Sequence, residues 1–121
     1  MKLQTLVLGA SPNPERYSYQ ACVSLLKHGH NVIPFGKRNG YIYGIEILSD
    51  ETSIYNIHTI TIYLNPINQK EYYGFIINLK PKRIIFNPGA ENPELEYLAD
   101  KAGIQVEEAC TLVMLATNSY L

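Results

Sequence analysis

The chain is expected to fold as an α/β domain: an open, mostly parallel sheet of about five main strands with helices on both faces. Three observations lead there. The stretch from Leu3 to Gly29 passes from a short aliphatic run, through a loop holding glycine and two prolines, into a helical repeat. A similar order, apolar run and then an Asn-Pro loop and a helical repeat, returns after Thr59 and again after Arg83. The length of 121 residues suits one domain, residues 1–121, which can bury a core without disulfides or metal.

Leu3 to Leu8 reads as a buried strand that Gly9 breaks. Pro12 and Pro14 forbid helix through the next loop. Ser18 is the expected N-cap of a helix whose apolar face is Ala21, Cys22, Leu25 and Leu26, with Gly29 just past its end. Asn31 to Phe35 is a second strand, parallel to the first because a helix joins them. A basic loop, Gly36 to Gly40, leads to Tyr41–Leu48, expected as one or two short edge strands turning at Gly44. Asp50 to Tyr55 is expected as a short helix.

Thr59 to Leu64 is a third main strand, rich in branched residues. Asn65 caps the next helix and Pro66 takes its first position. Tyr72, Phe75, Ile76 and Leu79 repeat at helical spacing until Pro81. Arg83 to Phe86 is the fourth strand. Asn92-Pro93 opens a helix with Leu95, Leu98, Ala99 and Ala102 on its apolar face, ended by Gly103. Ile104 to Val106 is the fifth strand, and the apolar tail Cys110 to Ala116 packs as a last strand or helix.

Acidic and basic residues nearly cancel, at 11 and 10, which argues against a nucleic-acid or anionic-membrane surface. No apolar run is long enough to span a bilayer, and no basic leader with a cleavage site precedes the first strand. Cys22 and Cys110 are far apart and lack metal spacing, as reduced thiols of a cytoplasmic protein would be. The apolar tail offers a surface to a second copy or a protein partner.

In a parallel sheet, ligands sit at the carboxyl ends of the strands where the strand order reverses. The loop Gly9–Ser18, the turn Leu64-Asn65-Pro66 and the turn Asn87-Pro88-Gly89 all fall on that edge. The first resembles a phosphate loop: a buried strand, a glycine, then a helix N-terminus whose free N–H groups and positive dipole favour an anion. Ser11 and Ser18 stand near the second and third glycine positions of the dinucleotide fingerprint, and a hydroxyl can donate to phosphate. A side chain at Gly9 is expected to intrude on that phosphate. After the second strand, where an NAD site wants an acid, the chain has Lys37 and Arg38. Cations there would welcome a phosphorylated ribose, as in NADP or coenzyme A.

With these elements the chain is Rossmann-like. The run Val7–Ser18, followed by Leu26–Pro34, resembles the small coenzyme-A-binding proteins, single domains similar to the N-terminal domain of the succinyl-CoA synthetase α subunit. Gly103–Val106 and Cys110 match more weakly. The resemblance implies binding of coenzyme A or an acyl-CoA. It implies that Gly9, Ala10, Ser11, Arg16, Tyr17 and Ser18 contact the phosphates and that Lys37 meets the ribose phosphate. Leu64, Asn65 and Pro66 would flank the adenine or pantetheine, and Asn87, Pro88 and Gly89 would close the far side. The second synthetase domain, with its phosphorylated histidine, is missing, so a ligase reaction does not carry over.

No catalytic constellation emerges from the residues. Ser11 lacks a nucleophile elbow and a placed base. His28, His30 and His58 show no zinc pattern. Cys22 sits on the apolar helix face, and Cys110 has no cationic neighbour in sequence. Glu107 and Glu108 would face opposite ways in a strand. The expected role is therefore non-catalytic binding of coenzyme A or an acyl-CoA. An NADP-binding enzyme or redox sensor, and a ligand-free interaction scaffold, are the alternatives.

Overall fold

The computed structural model describes residues 3–121. Strand β1 (Gln4–Leu8) leads through a loop to α1 (Tyr17–Lys27) and back to β2 (Asn31–Phe35). A small hairpin, β3 (Tyr41–Ile42) and β4 (Ile45–Glu46), precedes β5 (Thr59–Ile62). Then come α2 (Pro66–Gln69), α3 (Tyr73–Leu79), β6 (Arg83–Phe86), α4 (Pro93–Lys101), β7 (Gln105–Glu108) and α5 (Thr111–Ala116).

The five long strands form one all-parallel sheet in the order β2-β1-β5-β6-β7. Leu6 lies opposite Ile33 on one side and Ile60 on the other, and Ile84 lies between Ile60 and Val106. The order reverses between β1 and β5. Loops leaving those two strands part to opposite sides, and a crevice opens at their carboxyl ends.

Alternation along each strand divides the core into two layers. Leu6, Leu8, Ile60, Ile62, Ile84 and Phe86 pack with Phe75 and Ile76 of α3 and with Leu95 and Ala99 of α4. Val7 and Ile85 face the other way, onto Cys22 and Leu25 of α1 and Met114 and Leu115 of α5. That second layer carries a polar seam. Thr5, Thr59 and Thr61 are fully buried, and each hydroxyl is bonded: to the Tyr120 hydroxyl, to Arg83 Nε and to the Thr111 hydroxyl, respectively. Such pairing removes the cost of burying them.

Several local expectations are corrected. Arg16, not Ser18, occupies the N-cap of α1, in extended conformation and without a side-chain bond to the helix. Ser18 lies inside the first turn because its hydroxyl is used by the loop. Of Tyr41–Leu48, only Leu48 meets the main sheet's edge, through a parallel bridge to Phe35 of β2. The residues from Tyr41 to Glu46 form the separate β3–β4 hairpin, turning through Tyr43 and Gly44, both with positive φ as a type I′ turn requires. The Asp50–Tyr55 segment holds a single 3₁₀ turn, Glu51–Ser53, capped by the Asp50 carboxylate. The helix after Pro66 is broken by a 3₁₀ turn at Lys70–Tyr72, beside the fully buried Gln69. In α4 only Leu95 and Ala99 are buried; Leu98 and Ala102 face solvent. The tail is helical, and its Met114 and Leu115 are spent on the core beside α1.

Candidate functional site

The loops after β1, β2, β5 and β6 meet around a cleft of about 310 Å³ at the switch point. Its first wall is the loop Gly9–Arg16. Gly9 turns the chain at φ +92°, and its N–H and that of Ala10 both donate to the Phe35 carbonyl, at 2.8 and 3.1 Å. This ties the β1 loop to the end of β2. The Ser11 N–H then donates to Ser18 Oγ at 3.2 Å, and the Asn13 N–H to Ser11 Oγ at 3.1 Å. Both hydroxyls accept in these bonds, so each keeps a proton to donate into the cleft that it lines. No side chain caps the first turn of α1, so the N–H groups of Tyr17, Ser18 and Tyr19 keep their donor capacity.

Arg16 and Arg38 supply the positive charge of the cleft. Leu64 and Asn65 form the opposite wall after β5, and Pro88, Gly89 and Ala90 the third after β6. These two walls are fastened by Gln69. Its Nε2 donates to the carbonyls of Leu64 and Ala90, each at 2.8 Å, and its Oε1 accepts from Asn92 Nδ2 at 2.9 Å.

Gly9, Ser11, Arg16, Tyr17, Ser18, Leu64, Asn65, Pro88 and Gly89 are brought together around the cleft. The others stand apart from it. Ala10 is buried behind the loop. The Lys37 ammonium pairs with Glu71 at 2.6 Å on the surface, which raises its pKa through the hydrogen bond and the charge. Pro66 starts α2 as its first residue, with Asn65 accepting from the Asn68 N–H as the cap. Asn87 is buried as a staple: its Nδ2 donates to Thr61 Oγ1 and the Ile62 carbonyl, and its Oδ1 accepts from the Thr111 N–H.

A side chain at Gly9 would also meet Leu64, with Cβ 2.9 Å from Leu64 Cγ and Cδ2, so the position is constrained from within the protein as well. Sequence reasoning also passed over Arg38 in favour of its neighbour, and over Tyr63, Ala90 and Gln69. Tyr63 had a signal: it is the aromatic residue closing a run of threonine and isoleucine at the ligand edge of β5.

Beside the main cleft lies a smaller, mostly apolar chamber of about 290 Å³. Tyr17, Tyr63 and Pro88 belong to the walls of both; Asn87, Leu112 and Cys110 complete the chamber. The Tyr63 hydroxyl is buried without a hydrogen-bond partner. Burial pushes its pKa upward and the nearby Cys110 thiol adds to that, while the Thr111 and Thr61 hydroxyls beside it pull the other way. Among the described residues, no group of three or more His, Cys, Asp and Glu is placed to hold a metal ion, and no helix is long and apolar enough to cross a membrane.

Residues 4–116 match the family described as CoA binding domain, and the chain belongs to it. Solved structures repeat the fold. A crystal structure of an uncharacterized protein is 44% identical, with 98% of each chain covered and a TM-score of 0.95. Cell-free ID.343 from Thermus thermophilus is 20% identical over 98% of this chain and 90% of its own, with a TM-score of 0.84. A hypothetical protein from Pyrococcus horikoshii OT3 is 24% identical over 93% of this chain and 81% of its own, with a TM-score of 0.80. No curated protein matches.

Proposed function

We propose that the cleft binds coenzyme A, free or acylated, without transforming it. The observation that carries this reading is the convergence of the uncapped first turn of α1 with Arg16 and Arg38 in one cleft. A helix N-terminus flanked by guanidinium groups suits a diphosphate, and a second cation suits a phosphate on the ribose. Arg38 takes the ribose phosphate, with Lys37 at the rim beside it. Leu64, Asn65 and Pro66 flank the ligand on the β5 side, and Pro88 and Gly89 close the β6 side, with Asn87 beneath them. Membership in a CoA-binding family supports the ligand class.

The cleft walls, among the described residues, offer guanidinium groups, hydroxyls and backbone but no carboxylate, imidazole or amine. The acid–base candidates on these walls are the Tyr17 and Tyr63 phenols, with no carboxylate or imidazole beside them to act as base, which favours holding a ligand over changing it. Two free cysteines fit a reducing, cytoplasmic setting.

Calorimetry with coenzyme A, its dephospho form and NADP tests the reading. Coenzyme A should bind about tenfold or more tighter than dephospho-coenzyme A, the value of one charge-assisted contact. Equal affinities would remove the role of the basic loop. Preference for NADP, or turnover of an acyl-CoA or NADPH, would replace the proposal with an enzyme.

A further inference from the structure

We propose that the chamber beside the cleft selects the acyl group at the end of the ligand's arm, taking a short, uncharged acyl thioester over one that ends in a carboxylate. This rests on the coenzyme A reading and deepens it, by naming the class of acyl group.

The strand order sets the direction of the ligand. Arg38 follows β2 at one end of the sheet, and the N-terminus of α1 follows β1 beside it. In the coenzyme A reading these hold the ribose phosphate and the diphosphate. Pro88 follows β6, and Cys110 and Leu112 follow β7, at the other end of the sheet. Tyr17, Tyr63 and Pro88 are walls of both spaces. An arm that leaves the phosphates away from Arg38 therefore passes into the chamber.

The chamber has no means of holding a charge. Its walls are Tyr17, Tyr63, Asn87, Pro88, Cys110 and Leu112, with no Lys, Arg or His among them. Arg16 and Arg38 line the cleft and not the chamber. Asn87 brings the one amide, and its donors are spent. Its Nδ2 donates to Thr61 Oγ1 at 2.7 Å and to the Ile62 carbonyl at 2.9 Å, which uses both protons. The start of α5 does not make up for this. That helix is six residues long, and its first N–H, of Thr111, already donates to Asn87 Oδ1. Burial raises the Tyr63 phenol further above neutrality, so it stays uncharged.

A carboxylate entering this space would lose its hydration and gain no counter-ion, which is costly. An alkyl group gains by leaving water, and each buried methylene is worth about fourfold in affinity. The volume of about 290 Å³ must also take the end of the arm, which leaves room for a short chain.

Calorimetry of the full chain with coenzyme A and its acetyl, butyryl and succinyl thioesters tests this. Butyryl and succinyl groups have the same chain length and differ in ending on a methyl or a carboxylate. Butyryl-CoA should bind about fivefold or more tighter than acetyl-CoA, which is two methylenes shorter. It should bind about tenfold or more tighter than succinyl-CoA. Leu112→Trp, which fills the chamber, should erase the gain of butyryl over acetyl. Leu112→Lys, which puts a cation on that wall, should reverse the order of butyryl and succinyl. Adenosine 3′,5′-bisphosphate, which lacks the arm, should bind both variants as it binds wild type and so show that the cleft is intact. Equal affinities for the three thioesters, or a preference for succinyl-CoA, would overturn the proposal. A butyryl preference that survives Leu112→Trp would overturn it too, because the acyl group would then lie elsewhere. Binding of coenzyme A without discrimination among its thioesters defeats this inference alone; no binding of coenzyme A or any thioester defeats the underlying reading and this inference with it.

Discussion

Gln69 Oε1 accepts a hydrogen bond from Asn92 Nδ2 at 2.9 Å, and through this pair the turn after β5 and the N-cap of α4 become one rigid body. Gln69 Nε2 holds the Leu64 and Ala90 carbonyls, while Asn92 Oδ1 caps α4 through the Leu95 N–H and its Nδ2 also reaches the Tyr73 hydroxyl. Gln69→Leu keeps the volume and leaves the buried Ala90 carbonyl and the part-buried Leu64 carbonyl without this donor. Unsatisfied buried acceptors cost about 1–3 kcal/mol each, less whatever relaxation admits water, so urea unfolding should report a loss of about 2–4 kcal/mol. Surrounding walls that still hold their shape would leave the midpoint unmoved and show that the carbonyls are served by something other than Gln69.

Gly9 gives a second stability prediction. Its φ of +92° strains any L side chain, and a Cβ would press on Leu64 and lie 3.2 Å from the Tyr63 carbonyl carbon. Gly9→Ala should therefore lower stability by about 1–3 kcal/mol with no ligand present. Adding Leu64→Ala relieves the side-chain contact but not the backbone angle. The double variant should recover the contact part of the cost, offset by the apolar burial lost at Leu64. Thermal melts of Gly9→Ala that match wild type would mean the turn tolerates positive φ with a side chain.

The strand–loop–helix rhythm was legible because it is written in periodicity and in Gly and Pro. Asn65-Pro66 and Asn92-Pro93 announced two helix starts, and both are capped as the residues suggested. What escaped was information held in pairs distant along the chain. Ser18 looks like a cap, yet its partner is the Ser11 amide, seven residues back in a loop whose path no local rule fixes. Lys37 and Arg38 are equivalent as neighbours in a basic loop; which one faces the cleft depends on Glu71, brought alongside by α2 and the turn after it. Gln69 reads as a surface residue of a short helix, and only the meeting of the β5 and β6 turns makes it core. Asn87 was read as a ligand contact because it ends a strand at the right edge, but three buried bonds to Thr61, Ile62 and Thr111 use its side chain for structure.

Glu96, beside Glu108, makes stability depend on pH. Burial, and then hydrogen bonding and repulsion shared with Glu108, raise the Glu96 carboxyl above its ordinary value, while the Asn92 N–H bond opposes this. A carboxyl with a raised folded-state pKa binds more protons in the folded chain than in the unfolded one. Stability from this group is therefore highest when it is protonated, and falls as pH rises through the window from the unfolded to the folded pKa. Glu108→Gln removes the repulsion. It should raise stability at neutral pH and change it much less at about pH 3, where the Glu96 carboxyl is neutral in either state. Denaturant midpoints of the variant and wild type at the two pH values check this, and an equal change at both would assign the effect to packing.

The ligand prediction turns on the two cations after β2. Arg38 lines the cleft, whereas the Lys37 ammonium is already paired with Glu71 on the surface. Arg38→Ala should weaken coenzyme A binding about tenfold or more, and leave dephospho-coenzyme A nearly unaffected, because it removes the partner of the extra phosphate. Lys37→Ala should cost only a small factor, chiefly through long-range attraction. Raising the salt should erase that small effect first, since exposed charges are screened within about 10 Å at 0.1 M ionic strength. Titrating both variants with both ligands at low and moderate salt decides the assignment. If Lys37→Ala carries the larger loss, Glu71 releases it when the ligand arrives, and the ribose phosphate belongs to Lys37 after all.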